Sequence, residues 1–223
     1  MTPPVRAPLT FSVLGEAAVL FDAAQGELDL SIQQRIWALS RLLATTYGVT
    51  EIVPGMNNLL VIIDPFLTDH HTVVDSVQAN WSSSVTSETL GKLIEIPVVY
   101  GGQYGEDLAW MAQRAGMSAE AFARLHASTT YTVYALGGQP GFPFLGGLDA
   151  RLATPRRDVP RVHVAAGTVM IGGVQTGIYP ADAPSGWNLI GHTSMTLFDS
   201  SEMPPALLSP GDTVRMIMKD VLP

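Results

Sequence analysis

The sequence predicts an α+β protein in two parts. An N-terminal layer packs helices on one face of an antiparallel sheet, and a closed or nearly closed β structure follows it. Three observations predict this. Up to residue 81 the apolar patterns run strand–strand–helix–strand–strand–helix, the order of a small α+β layer. Eleven of the 21 glycines then fall between Gly137 and Gly191, cutting the chain into short apolar runs such as RVHV, TVMIGG, QTGIYP and NLIGHTSMTLF. Between Val162 and Phe198 the only charged residue is Asp182.

Each element has a local cause. Met1–Pro8 carries three prolines and no periodicity and reads as a disordered lead. Phe11–Leu14 and Ala17–Asp22 read as strands joined at Gly15-Glu16. A helix is predicted over Ser31–Thr46, with Ser31 as its cap, Gln34 reaching back to it, and Ile32, Ile36, Leu39 and Leu43 at helical spacing. Gly48 suits its end. Glu51–Val53 is a short strand, Pro54-Gly55 a turn, and Leu59–Ile63 a buried strand. A second helix, Thr68–Trp81, places Val73, Val74, Val77 and Trp81 on one face. The polar run Ser82–Ser87 is the expected linker, dividing domain 9–88 from domain 89–223. The second domain opens with a strand, Leu93–Tyr100, broken by Gly101-Gly102. Helices at Glu106–Ala115 and Ala119–Ala127 come next, the first ended by Gly116 and the second capped by Ser118.

Composition removes several function classes. Of 223 residues, 47% are hydrophobic and 14% charged, against a usual charged share of about 25%, so the chain has ample core and is not a disordered tail. Twelve Lys+Arg against 20 Asp+Glu give a net charge of −8, which argues against nucleic acid or an anionic membrane as partner. Cysteine is absent, which excludes disulfides, thiolate nucleophiles and Cys-based metal sites. The N-terminal residues lack the apolar core of a signal peptide, and no run approaches about 18 apolar residues, so a soluble, cytoplasmic protein is expected. There is no GxxxxGK[ST], HExxH or GxSxG, hence no nucleotide site or assembled triad visible in the chain itself. His70 and His71 are adjacent on a predicted helix and point apart, so no metal site is expected.

Few residues remain to carry chemistry. The segment Leu136–Leu148 (LGGQPGFPFLGGL) concentrates glycine, proline and phenylalanine. Gly141 and its neighbours let backbone N–H groups approach a ligand, Pro143 stiffens the path, and Phe142 supplies an apolar wall beside Gln139. A loop turning a barrel corner would read the same way. Four of the 12 basic residues crowd into positions 151–161: Arg151, Arg156, Arg157 and Arg161. Guanidinium groups grip carboxylate or phosphate, though a solvated or paired loop is the plainer alternative. His126 and His192 each end an element beside Ser or Thr, where a neutral imidazole serves as general base. Gln175, Tyr179, Trp187 and His192 fall at positions from which one pocket mouth can be lined, with Thr176 beside them.

Taken in order, GGQPGFPFLGGLD, TPRRDVPRVHVAAGTV, GGVQTGIYP and GWNLIGHTSMTLFD resemble the KipI/allophanate-hydrolase-subunit-1 family. In the first half QQRIWALSRLL, IVPGMNNLLVII and IEIPVVYGG resemble its bacterial 5-oxoprolinase branch, so the likeness runs from Phe11 to Met218. The family's signatures fall on Gly141, Phe142 and Pro143; on Pro155, Arg156, Pro160 and Arg161; and on Gln175, Thr176, Gly177, Tyr179, Pro180, Gly186, Trp187 and Gly191. Gly138, Thr168, Met170 and Ser185 depart from the family pattern. The resemblance implies a ferredoxin-like N-terminal domain and a cyclophilin-like β-barrel. It also implies a B-type 5-oxoprolinase component that acts with two companions, a KipA-like protein and a LamB/YcsF-like protein. That complex opens 5-oxo-L-proline to L-glutamate, using ATP with Mg, and the isolated chain holds no cofactor. The expected catalytic residues are His126, His192 and Arg156. Gln139, Gly141, Phe142, Pro143, Arg157, Arg161, Gln175, Thr176, Tyr179 and Trp187 are the expected substrate contacts. Inhibition of a sensor histidine kinase and cleavage of urea-derived amides are the competing activities.

Overall fold

The computed structural model describes residues 9–23, 28–81 and 91–223, and the expected lead and linker lie outside them. It is an α+β fold with a β-barrel, and the chain divides into two units, Met1–Thr89 and Leu90–Pro223.

In the first unit the strands are β1 (Thr10–Leu14), β2 (Ala18–Asp22), β3 (Val49–Pro54) and β4 (Asn58–Ile63), and the helices are α1 (Leu30–Leu43) and α2 (His70–Trp81). The sheet order is β1-β2-β4-β3, antiparallel throughout. Alternation puts Val19 and Phe21 of β2 and Leu59, Val61 and Ile63 of β4 on one face. There they join Ile36, Leu39 and Leu43 of α1 and Val73, Val77 and Trp81 of α2 in one core.

The start of α1 corrects the expected cap. Asp29, not Ser31, closes the helix: its Oδ1 accepts the backbone N–H of Ser31 (2.7 Å) and Ile32 (3.2 Å) and the Ser31 hydroxyl (2.7 Å). An ionised carboxylate is the stronger acceptor and suits the positive end of the helix, and the Ser31 hydroxyl helps hold this carboxyl below its ordinary range. The β3–β4 turn locks the same end. Asn57, buried with φ at +56°, accepts the Asp29 N–H (2.8 Å) and donates to the Asp29 carbonyl (2.8 Å). Its own N–H donates to Gln33 Oε1 (2.7 Å), while Gln33 Nε2 donates to the Gly55 carbonyl (3.0 Å).

The second unit contains β5 (Leu93–Tyr100), α3 (Leu108–Arg114), α4 (Ala119–Ser128), β6 (Thr130–Leu136) and β7 (Pro143–Gly146). There follow β8 (Arg161–Val164), β9 (Thr168–Gly172), β10 (Gln175–Ile178), β11 (Ala183–Ser185), β12 (Asn188–His192) and β13 (Thr213–Val221). Seven strands close a barrel in the order β10-β7-β6-β13-β5-β12-β9, and β8 with β11 forms a separate ribbon. All barrel pairs are antiparallel except β13 on β5. Ile96, Val98 and Tyr100 of β5, Tyr131 and Val133 of β6, Val169 and Ile171 of β9 and Val214 and Met216 of β13 share a core with Leu108, Met111, Phe122 and Ala123 of the two helices. A separate apolar cluster joins Phe142, Val164, Met170, Trp187 and Leu189, with Phe144 and Tyr179 against it.

Asn57→Ala removes three side-chain hydrogen bonds, to Asp29 and Gln33, and places a β-carbon residue without an amide in the left-handed region. The expected loss is about 2 kcal/mol of stability in the first unit, read as a lower urea midpoint at unchanged m-value.

Candidate functional site

The arginine-rich segment is fixed to the barrel by one carboxylate. The side chain of Asp107, just before α3, makes no capping bond with its own helix. Its Oδ2 instead accepts the Leu189 N–H at 2.8 Å and pairs with Arg161 Nη1 at 2.9 Å. Its Oδ1 receives Arg161 Nη2 at 3.0 Å and Arg157 Nη1 at 3.2 Å. Arg161 Nη2 also reaches Glu106 Oε2 at 3.2 Å. A largely buried carboxylate is tolerable when several donors meet it, and here two guanidiniums and one amide do. The backbone contributes as well, since Arg157 N–H donates to the Gly186 carbonyl at 2.7 Å.

With Arg157 and Arg161 held, Arg156 is left to point elsewhere. Its guanidinium lies 5.4 Å from the centroid of the Trp187 ring, a cation–π placement. Phe142 meets the same indole edge-on at 5.8 Å and 88°, and packs against Tyr179 at 5.5 Å and Phe144 at 5.0 Å. Glycines make these approaches possible: a β-carbon at Gly172 would sit 2.5 Å from the Trp187 ring, and one at Gly177 would sit 2.9 Å from Phe142. Gly141, with φ at +78°, turns the chain into Phe142. Ser185, one of the departures from the family pattern, accepts the Trp187 N–H at 3.0 Å.

Two cavities result, and Arg156 lines both. The smaller, about 260 Å³, is walled by Gly137, Gly138, Gln139, Phe142, Phe144, Tyr179, Pro184, Trp187 and Arg156. Gln139 Oε1 is buried there with no hydrogen-bond partner among the described residues. The larger, about 550 Å³, is walled by Trp110 and Arg114 of α3, by Asn188 and Asp107, and by residues 155–159.

The structure thus brings Gln139, Phe142, Tyr179, Trp187 and Arg156 to one pocket, with Arg157 in the adjoining cavity. Pro143 opens β7, and Arg161 is committed to its carboxylates. His192 and Gln175 are in neither wall. The His192 ring stacks on Tyr104 at 4.4 Å and its Nε2 meets the Ala166 carbonyl at 3.0 Å.

His126, expected to be catalytic, is fully buried and faces the barrel core. Tyr100 Oη lies 2.7 Å from its Nδ1, and Thr176 Oγ1 lies 2.9 Å from its Nε2. Thr176 donates its hydroxyl proton to the Met170 carbonyl at 2.9 Å. It therefore accepts from His126 Nε2–H, and Tyr100 donates to Nδ1, so the imidazole is neutral with every polar atom satisfied. Burial pulls its pKa from 6.5 down to about 3. Thr176 is spent on the same chain of bonds and is buried with it.

Asp107, Trp110 and Arg114 escape the sequence reading. The available signal is the i,i+4 spacing of Trp110 and Arg114, which puts both on one helix face. The Arg114 guanidinium lies 6.0 Å from the Trp110 ring centroid.

A barrel carrying an arginine-lined aromatic pocket now has a class. Residues 9–208 match the family described as carboxyltransferase domain, subdomain C and D, and the chain belongs to that family. Within it, the chain is close to the B component of bacterial 5-oxoprolinases, as the resemblance in its sequence implies. It is 46% identical over 205 residues to the 5-oxoprolinase B component of Escherichia coli O157:H7, covering 92% of this chain and 94% of that protein. It is 39% identical over 181 residues to that of Bacillus subtilis strain 168, covering 76% of this chain and 75% of the relative. The crystal structure of TTHA0988 is similar at TM-score 0.79 and 35% identity. That likeness covers 90% of this chain but 39% of TTHA0988, so the chain spans about two fifths of that longer protein.

The buried histidine has a measurable consequence. A depressed folded pKa means that the unfolded chain takes up a proton below pH 6.5 while the folded chain does not until about pH 3. The neutral histidine's contribution is complete above pH 6.5 and is lost as pH falls. It should remove about 2 kcal/mol of barrel stability between pH 7 and pH 5. Denaturant unfolding of the parent and of His126→Asn at both pH values checks this, the variant showing the flatter dependence.

Proposed function

We propose that this chain is the B component of an ATP-dependent 5-oxoprolinase complex, which opens 5-oxo-L-proline to L-glutamate together with two companion proteins. The relatives' names support the substrate, and the structural observation that carries the reading is Arg156 over Trp187 at an aromatic pocket of about 260 Å³. Such a pocket suits a small ring bearing a carboxylate. Phe142, Tyr179 and Trp187 pack the ring, Arg156 faces the carboxylate, and the Gln139 amide is available to the lactam. A lactam amide is stable, so ring opening needs activation by ATP, and cationic donors then offset the charge that develops on its oxygen.

Among the described residues no three His, Cys, Asp or Glu side chains gather as metal ligands. In this reading the magnesium nucleotide is delivered by the KipA-like and LamB/YcsF-like companions, in a cytoplasmic complex. The reading takes residues 9–88 as a ferredoxin-like domain and 89–223 as a cyclophilin-like barrel. The sheet order β1-β2-β4-β3 supports the first, because it is a split β-α-β arrangement with one outer strand placed first in the chain.

The purified chain is expected to show no 5-oxoproline-dependent ATP hydrolysis, while the chain with both companions does. Absence of turnover in the reconstituted complex defeats the proposal. Arg156→Ala should lower that turnover by about tenfold or more, the cost of a lost charge-assisted contact, with an unchanged circular dichroism melt.

A further inference from the structure

The larger cavity has a chemistry of its own. Two of its guanidiniums, on Arg114 and Arg156, have no carboxylate partner among the described residues, although the chain carries a net charge of −8. Each lies on an indole, Arg114 at 6.0 Å from Trp110 and Arg156 at 5.4 Å from Trp187. A guanidinium laid on a ring loses neither its charge nor its in-plane N–H edges, so both remain able to hold an anion. Arg157 lines the same cavity and is held to Asp107, while Asn188 donates its amide to the Pro155 carbonyl at 2.9 Å and keeps the segment in place. Asp158 also lines the cavity and works against an anion there.

We infer that this cavity, between α3 and residues 155–159, is a binding site for a phosphoryl dianion. Arg114 and Arg156 together match a doubly charged group better than a lone carboxylate, with Arg156 shared between this cavity and the carboxylate of the aromatic pocket. Its volume of about 550 Å³ exceeds what a lone phosphate needs, so the phosphoryl group belongs to a larger molecule, either a nucleotide or a phosphorylated small substrate. Arg156 lines this cavity and the aromatic pocket alike, which sets the phosphoryl group beside the ring-binding pocket. The assignment of that group to the reaction rests on the 5-oxoprolinase reading; the site rests on the geometry.

Calorimetric titration of the full chain with inorganic phosphate at fixed ionic strength tests the site without any turnover. Saturable binding, displaced by sulfate, is expected. Arg114→Gln should weaken it about tenfold, and Asp158→Asn should strengthen it by about threefold through loss of a repulsive charge. Arg124→Gln, which breaks an exposed pair with Glu120 on α4, should leave it unchanged. A parallel titration with ADP separates the sources. Binding tighter than phosphate and equally sensitive to Arg114→Gln assigns the site to a nucleotide, and binding no tighter assigns it to a phosphorylated small molecule. No saturable phosphate binding, or binding indifferent to Arg114→Gln, overturns the inference. Turnover in the reconstituted complex without phosphate binding to this chain would remove the site and leave the 5-oxoprolinase reading intact; binding without turnover would do the reverse.

Discussion

Everything distinctive about the site follows from the Asp107 carboxylate. It gathers Arg157, Arg161 and the Leu189 N–H at 2.8–3.2 Å, and so ties the segment after the 3-10 turn at Ala150–Leu152 to the barrel strand β12. A proline-bracketed run of arginines would otherwise be a solvated loop. Because two of its guanidiniums are committed to one carboxylate, the third is directed onto Trp187. In the proposed site the charge that faces a ligand is thus positioned by charges that do not.

Polar groups inside the barrel obey a different constraint. Tyr100, His126, Thr176 and the Met170 carbonyl form a closed donor–acceptor chain with no spare proton. It satisfies an imidazole in an apolar core, fixes α4 against β5 and β10, and leaves nothing to hand to a substrate. The proposed site uses instead the separate apolar cluster around Phe142 and Trp187, which includes Met170 and Leu189.

Much of this is legible in the sequence, and what is not has physical reasons. Phe142, Trp187 and Arg156 stand out because glycine and proline cluster around them, and the space at Gly172 and Gly177 is what their rings fill. The elements of the first unit are readable from periodicity and turn residues, apart from helix ends: Asp29 outcompetes Ser31 by its charge, α1 stops at Leu43 rather than Thr46, and α2 starts at His70 rather than Thr68. Asp107 is hidden: an acid before a helix is expected to serve that helix, and its partner Arg157 stands 50 residues away. His126 misleads because a histidine at a helix end beside a serine has the same sequence whether it meets water or a core. Only closure of the barrel decides that, and closure is set by long-range pairing.

That closure has a kinetic side. The parallel pairing of β13 with β5 joins Thr213 to Leu93 and runs through to Val221 on Tyr100, so this pair is among the least local contacts of the described residues. The ordering entropy of the intervening loop and helices has to be spent before this contact repays it. On the ribosome the first unit is complete long before β13 emerges. Until it does, β5 and β6 present bare hydrogen-bonding edges that a neighbouring nascent chain can capture. Chaperone demand during synthesis should therefore concentrate in the second unit.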